Sequence, residues 1–157
     1  MKFKIVIKFY FLFALIFLVG CKEIRSREFK IIQIGEEKIE VEIADTPEEW
    51  EIGLAYRDTL PEDKGMLFVF PTLERRVFWM RGCKFDIDLA YIEPNGVISE
   101  IITMKKESPF TPLDSLKRYP SKSSKIKFAI EMIGGWFKRH DIKPGDKINF
   151  KDYKPNF

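Results

Sequence analysis

Three short apolar runs between Gly65 and Ile92 constrain the fold of this chain more than any other stretch. Met66 to Phe70 is continuously apolar, which is typical of a strand buried on both faces, and Pro71 is expected to end it. Val77 to Met80 forms a second run and Ile87 to Glu93 a third. The stretch therefore predicts three strands at the centre of the domain.

Turn residues between apolar runs predict two hairpins. Phe29 to Ile34 and Lys38 to Ala44 flank a short polar turn, and the second run alternates apolar with acidic residues, so we expect one core-facing and one solvated face. Ile87 to Glu93 and Val97 to Thr103 flank Pro94-Asn95-Gly96, a strong turn sequence.

Two short helices and one long loop complete the middle of the chain. Asp45 to Glu49 supplies a capping residue, a first-turn proline and acidic residues, so it predicts a helix start, with the helix ending near Tyr56 or Arg57. Lys105 to Ser124 contains three prolines and predicts a long loop. Trp136 to Asp141 predicts a second helix that covers one end of a barrel.

Two further strands follow from the remaining pattern. Lys125 to Ile133 alternates, with Lys127 and Glu131 opposite its apolar face, and Lys147 to Phe150 is the last run. The sequence therefore predicts a mainly β (α+β) fold: a compact, mostly antiparallel, barrel-like curved sheet of about seven or eight short strands with two short helices.

The N-terminus predicts export. Residues 1–20 contain three lysines and no acidic residue, and they end in the apolar run Phe9 to Gly20. This run is too short for a transmembrane helix and lacks the flanking residues of one, which is typical of a signal peptide. Leu18-Val19-Gly20-Cys21 resembles a bacterial lipoprotein box, in which the cysteine is acylated and becomes the first mature residue. This implies a lipid anchor in the cell envelope.

The predicted organisation has three parts: a lipoprotein signal peptide at 1–20, the lipidated Cys21 with a tether at 21–28, and one globular domain at 29–157. Of 27 basic residues, three leave with the signal, so the mature chain balances 24 acidic residues with as many basic ones. A net-neutral chain gives no field that favours nucleic acid as a partner.

The reactive residue types exclude several kinds of site. With Cys21 acylated, Cys83 has no partner for an intramolecular disulfide and is expected to be a buried small residue. A single His140, without a CxxC pair, indicates no multi-histidine or zinc site, and no cofactor is indicated. Catalysis through His140 is not favoured, because it lies in a basic, solvated segment.

Five motifs resemble domain-of-unknown-function family number 192, a group of small domains that often follow an export signal. They cover roughly Lys38 to Phe150 and lie in the family's order: Ala44 to Arg57, Leu60 to Pro71, Phe78 to Met80, Ile87 to Ile92 with Asn95-Gly96, and Gly135 to Asp146. The resemblance implies a compact, mainly β domain with short helices, and no established activity.

This chain departs from the family pattern beside its best candidate residues. Asp88 matches the aspartate of the family's Pro-Leu-Asp, while Asp86 stands where proline is usual. Arg81 matches the basic residue after Phe-Trp-Met, and Gly82-Cys83 replaces the usual Asn-Thr.

Asp86 and Asp88 leave two interpretations open. Side chains two residues apart on a strand point to the same face, with their Cα atoms roughly 6–7 Å apart. This spacing suits the carboxylate pair of a glycosidase or a site for a hard cation. Alternatively, one of the carboxylates pairs with an arginine, with Arg57 as the favoured partner. Trp79 also has two interpretations: its ring lines the bottom of a pocket for a sugar or an apolar ligand, or it packs in the core.

We therefore expect a membrane-anchored envelope domain that binds a small molecule, glycan or protein partner without catalysis. Its candidate ligand-binding residues are Arg57, Trp79, Arg81, Asp86 and Asp88. Two alternatives remain: a hydrolase-type enzyme using Asp86 and Asp88, and an envelope assembly factor acting through the Lys105–Lys125 loop.

Overall fold

The computed structural model of the chain describes residues 29–150. The predicted signal peptide, Cys21 and the tether lie outside the described residues. Within that range the elements are β1 (Phe29–Ile34), β2 (Glu37–Ala44), α1 (Pro47–Ile52), β3 (Lys64–Glu74), β4 (Val77–Phe78), β5 (Ile87–Ile92), β6 (Ile98–Met104), β7 (Tyr119–Pro120), β8 (Ile126–Ile133), α2 (Trp136–Arg139) and β9 (Ile148–Asn149).

Seven of these strands form one curled sheet in the order β6-β5-β8-β3-β2-β1-β9, and β4 pairs with β7 in a separate two-stranded ribbon. The neighbours within the sheet pair antiparallel except β2 and β3, which pair parallel because α1 and a loop carry the chain back between them. The prediction of a mainly β, mostly antiparallel curved sheet with two short helices is confirmed.

The two edges of the sheet meet at one end. Val97, just before β6, forms a bridge with Lys147, just before β9. The Ile98 amide donates to the Asp146 carbonyl at 2.8 Å, and the Ile148 amide donates to the Gly96 carbonyl at 2.9 Å. These bonds satisfy backbone groups that an open edge would expose, and they hold the sheet in its curled shape.

The sheet buries side chains on both faces, in two separate clusters. Alternation along β3 divides its residues: Leu67 and Val69 join the inner cluster with α2, whereas Met66, Phe68 and Phe70 join the outer cluster. The outer cluster lies beneath α1 and the chain around Met80. This explains why β3 reads as a continuous apolar run.

Trp136 closes one end of the curled sheet, as predicted for the helix that it begins. It is 1% exposed and packs with Phe137 into the inner cluster. Its indole nitrogen donates to the Glu62 carbonyl at 2.8 Å. The polar tip of the ring therefore has a partner inside the fold.

Three local expectations were wrong. Pro71 does not end β3, since the pairing with β8 shifts between Val69 and Glu74 and this irregular stretch accommodates the proline. Helix α1 stops at Ile52, because Gly53 turns the chain with φ +50°. The 105–124 loop contains β7, which pairs with β4.

Across residues 29–150, none of the helices combines the length and apolar character needed to cross a bilayer.

Candidate functional site

An aromatic cleft of about 520 Å³ lies on the outer face of the sheet, between α1 and the end of β3. Both walls are aromatic: α1 supplies one ring, and the outer face of β3 and the segment after it supply the others. The aromatic lining residues are Trp50, Phe68, Phe70, Phe78 and Trp79. We refer to this cavity as the aromatic cleft.

Local sequence fixes the rings of the aromatic cleft. The capping box of Thr46 and Glu49 sets the start of α1, and the Trp50 indole donates to the Ala44 carbonyl at 2.9 Å. The Trp50 and Phe70 ring centroids lie 5.3 Å apart, while Phe68 meets Phe78 edge-on at 4.9 Å. The walls are therefore preorganised by packing.

Glu131 lies at the floor of the aromatic cleft. It stands on β8 opposite Met66 of β3 and Leu89 of β5, and is only 4% exposed. Burial raises the pKa of its carboxyl to about 8, although the Leu54 amide and nearby Arg57 oppose the shift. Glu131 is therefore mostly protonated at neutral pH.

One oxygen of this carboxyl, Oε2, is buried without a hydrogen-bond partner. Gly53 packs closely against it: a Cβ at that position would lie 3.3 Å from Oε2 and 3.3 Å from the Phe68 ring, a closer approach than side chains normally make. Since buried polar atoms are nearly always satisfied in native proteins, this oxygen is a candidate for a bond to a further group.

Glu131→Gln is expected to flatten the pH dependence of stability between about pH 4.5 and 8. The folded pKa of Glu131 (about 8) lies above its ordinary value of 4.5. The neutral carboxyl therefore stabilises the fold fully below about pH 4.5, and this contribution is lost as pH rises through about 8. Urea unfolding of both proteins across this range measures it; equal slopes would contradict a buried neutral acid.

Three arginines, Arg75, Arg76 and Arg81, also line the aromatic cleft. The Arg76 guanidinium lies over the Phe70 ring, 4.0 Å from its centroid, and donates to the Thr72 carbonyl at 2.8 Å. Its remaining partner is Glu74, at 2.8 Å.

The Nε of Arg76 is buried and lacks a hydrogen-bond partner. In the described part of the chain, two buried side-chain nitrogen or oxygen atoms lack a hydrogen-bond partner: Arg76 Nε and Glu131 Oε2. Both residues line the aromatic cleft. Burial also lowers the pKa of Arg76, as expected for a charge that is poorly solvated.

Cys83 lies in the same wall and is half-buried. Burial, followed by the proximity of Glu131, raises the pKa of its thiol to about 12. The thiol therefore stays protonated at neutral pH, which is the state of a structural rather than a nucleophilic cysteine.

The structure divides the predicted ligand-binding residues between three places. Trp79 and Arg81 line the aromatic cleft, where Trp79 stacks under Arg118 at 4.0 Å and Arg81 pairs with Glu51 at 3.1 Å. Arg57 lies behind the floor and holds Glu42 in a two-pronged ion pair.

The prediction that one face of β2 is solvated is therefore partly wrong. Glu42 on that face is only 8% exposed, and its carboxylate is paired with the guanidinium of Arg57. The alternating pattern could not show this, since the cover of that face comes from Arg57 in the chain after α1.

The two aspartates are held by different partners. Asp86 precedes β5 and pairs with Lys105 at 2.8 Å, a contact that lowers the pKa of its carboxyl. Asp88 is 2% exposed and accepts from the Thr103 hydroxyl at 2.7 Å and from the Phe137 amide at 3.3 Å. The expected arginine partner was wrong: in residues 29–150 these contacts come from a lysine, a hydroxyl and backbone amides.

His140 is stacked on Trp136, with ring centroids 4.3 Å apart, and its Nδ1 bonds the Trp136 carbonyl at 2.8 Å. Over the described range, the acidic, cysteine and histidine side chains form no cluster that could hold a metal ion.

Sequence reasoning missed Glu131, Arg76 and Trp50. The available signal was the apolar character of both faces of β8, where Ala129 and Ile133 flank Glu131. A carboxylate between apolar neighbours on a doubly covered strand indicates a buried acid.

The comparisons with known proteins agree with this architecture. The family described as "Uncharacterized ACR" (DUF192) matches residues 30–150. A crystal structure of a protein from Sinorhizobium meliloti 1021, named as a candidate transcription regulator, has 25% identity and a TM-score of 0.70, and the match covers 79% of this chain and 95% of that one.

A second crystal structure, a protein of unknown function from Novosphingobium aromaticivorans DSM 12444, has 22% identity and a TM-score of 0.69, over 83% of this chain and 91% of that one. No curated protein matches the sequence. Both matches cover more than nine-tenths of the solved chains, so the fold is shared over nearly their whole length.

Proposed function

This chain belongs to the uncharacterised DUF192 family, and we propose that its domain binds a small organic molecule in the aromatic cleft without transforming it. The observation that carries the proposal is the buried Oε2 of Glu131, which lacks a partner at the floor of this cavity. The cavity volume of about 520 Å³ lies in the range typical of small-ligand sites.

The chemistry of the cleft supports binding rather than catalysis. Aromatic walls provide rigid contact area, and a few polar groups provide orientation, which is the usual composition of a ligand pocket. Cys83 is protonated, so it is a poor nucleophile. The hydrolase alternative has less support, since Asp86 is bound to Lys105 and Asp88 lies on the inner side of the sheet below α2.

We place this binding domain at the cell envelope. The proposal rests on the sequence: a basic start, an apolar run and Gly20-Cys21 together support a lipid anchor on Cys21, with the polar segment to residue 28 as a tether. The domain would then present its cleft to ligands in the envelope, including glycans or segments of protein partners.

A thermal-shift screen of residues 22–157 tests the proposed function. Sugars, nucleotides, organic acids and divalent metals are added one at a time. A ligand at about 100 times its dissociation constant contributes about 2.7 kcal/mol and raises the midpoint by several degrees. We expect at least one compound to shift the wild type.

The same shift should shrink in Glu131→Gln and Trp79→Ala. Glu62→Gln is the matched control, because Glu62 is exposed, pairs with Arg139 and lies outside the aromatic cleft. A shift that survives both cleft substitutions, or no shift with any compound, would count against the proposal and in favour of a protein partner.

A further inference from the structure

We infer that the ligand of the aromatic cleft is an elongated amphipathic organic anion, with its charged group on Arg76 and its apolar body along the aromatic wall. The inference rests on the proposed function and adds the ligand's chemistry. It follows from where the cationic donor, the rings and the neutral acid lie relative to one another.

Arg76 supplies the charged end. Its terminal nitrogens are engaged by Glu74 and Thr72, while its buried Nε has no acceptor. A buried guanidinium N–H bonds most strongly to an anionic oxygen, since charge-assisted hydrogen bonds are about twice as strong as neutral ones. A carboxylate fits this donor better than a hydroxyl.

The rings supply an apolar path away from Arg76. Phe70 lies directly beneath the guanidinium, Phe68 is the next ring on the same face of β3, and Phe78 packs edge-on against Phe68. Phe68 and Phe70 have ring centroids 6.4 Å apart. Phe68 and Phe70 are 1% and 4% exposed, and with half-buried Phe78 they back the aromatic cleft with an apolar wall that suits a hydrocarbon or aromatic body.

The distance to Glu131 sets the length of the ligand. The Arg76 guanidinium lies 4.0 Å from the Phe70 ring centroid, and the Phe68 centroid lies 6.4 Å from that of Phe70. Glu131 lies next to Phe68, since a Cβ at Gly53 would be 3.3 Å from both the Phe68 ring and Glu131 Oε2. A ligand that reaches from Arg76 to this end of the wall is therefore elongated, with its apolar end beside Phe68.

The charges in the aromatic cleft favour an anion. Besides Glu131, three arginines and two acidic residues, Glu51 and Glu74, belong to the lining. Glu131 adds no negative charge at neutral pH, because burial raises its pKa to about 8. Arg57 is the charged neighbour of Glu131 behind the floor, and its own charge is matched by Glu42.

Two probes of nearly equal size test the inference: 4-phenylbutyrate, an anion, and 4-phenylbutanamide, its neutral counterpart. Binding to residues 22–157 is measured by isothermal titration calorimetry at neutral pH. We expect the anion to bind at least about tenfold more tightly, a difference of about 1.4 kcal/mol. Arg76→Gln should remove this preference.

Arg139→Gln is the matched control, since it removes the same charge from an exposed pair with Glu62 outside the aromatic cleft. It should keep the preference for the anion. Arg76→Lys keeps the charge but not Nε, so it should retain only part of the preference. Near-ultraviolet circular dichroism establishes that each variant keeps its aromatic packing.

The outcomes separate the inference from the proposed function. If both probes bind equally, or if only sugars or other neutral compounds shift the melting temperature, the cleft binds ligands but the anion inference fails. If neither probe binds and no compound in the thermal screen gives a shift, both fail. An unchanged preference in Arg76→Gln would also overturn the inference.

Discussion

Replacing Trp136 with alanine is expected to lower the free energy of unfolding by about 3–5 kcal/mol, the usual loss for a large buried aromatic residue. Trp136 is 1% exposed and packs edge-on against Phe137, with ring centroids 5.2 Å apart. Truncation would leave a cavity at the closed end of the sheet and deprive the Glu62 carbonyl of its indole donor. Urea denaturation measures the change.

Trp79→Ala is the control for this prediction. Trp79 is half-buried, and its ring is stacked under Arg118 at the surface, so its loss should destabilise the fold much less. Equal losses in the two variants would show that Trp136 is not part of the inner core. A small loss in Trp136→Ala would mean that the α2 segment does not close the sheet.

Replacing Arg57 with methionine is expected to destabilise the protein by about 3 kcal/mol, because it removes the partner that neutralises Glu42 inside the fold. The Glu42 side chain is 11% exposed, and its Oε2 accepts from Arg57 Nη2 at 2.7 Å. Arg57 also lies close enough to lower the pKa of Glu131. Its loss should therefore hold Glu131 protonated to higher pH.

Two further variants define the cause. Arg57→Met combined with Glu42→Gln should recover much of the lost stability, since the buried carboxylate that Arg57 neutralises is then replaced by a neutral amide. Arg81→Met removes an arginine whose partner Glu51 is 61% exposed, and exposed pairs typically contribute at most about 1 kcal/mol. If the double variant is as unstable as Arg57→Met, the ion pair is not the source of the loss.

The structure revises the role that the sequence predicted for Arg57. Its predicted position at the end of α1 made it the favoured partner of Asp86 or Asp88, and it was also a candidate ligand-binding residue. The structure places it against Glu42 of β2, fifteen residues earlier in the chain. The sequence pattern could not show this pairing, because it depends on β2 and β3 being parallel neighbours.

The strands and hairpins were predictable because their signals are local. Alternation along β2 and the Pro94-Asn95-Gly96 turn act over a few residues, and both hairpins form where expected. The β7 strand was not predictable in the same way. Tyr119–Pro120 is ordered by pairing with β4, some forty residues away, and not by its own residues.

The sequence by itself determined the elements, the two-faced burial of β3 and the family, all of which depend on residue order. Only the tertiary structure decided the site. Glu131 and Met66 meet because β3 and β8 pair across more than sixty residues, and that pairing buries the acid, raises its pKa and brings it into the lining of the aromatic cleft. Burial is a property of neighbours in space: the apolar residues on both faces of β8 indicate a buried acid, but they do not show which strands cover it or which cavity it lines.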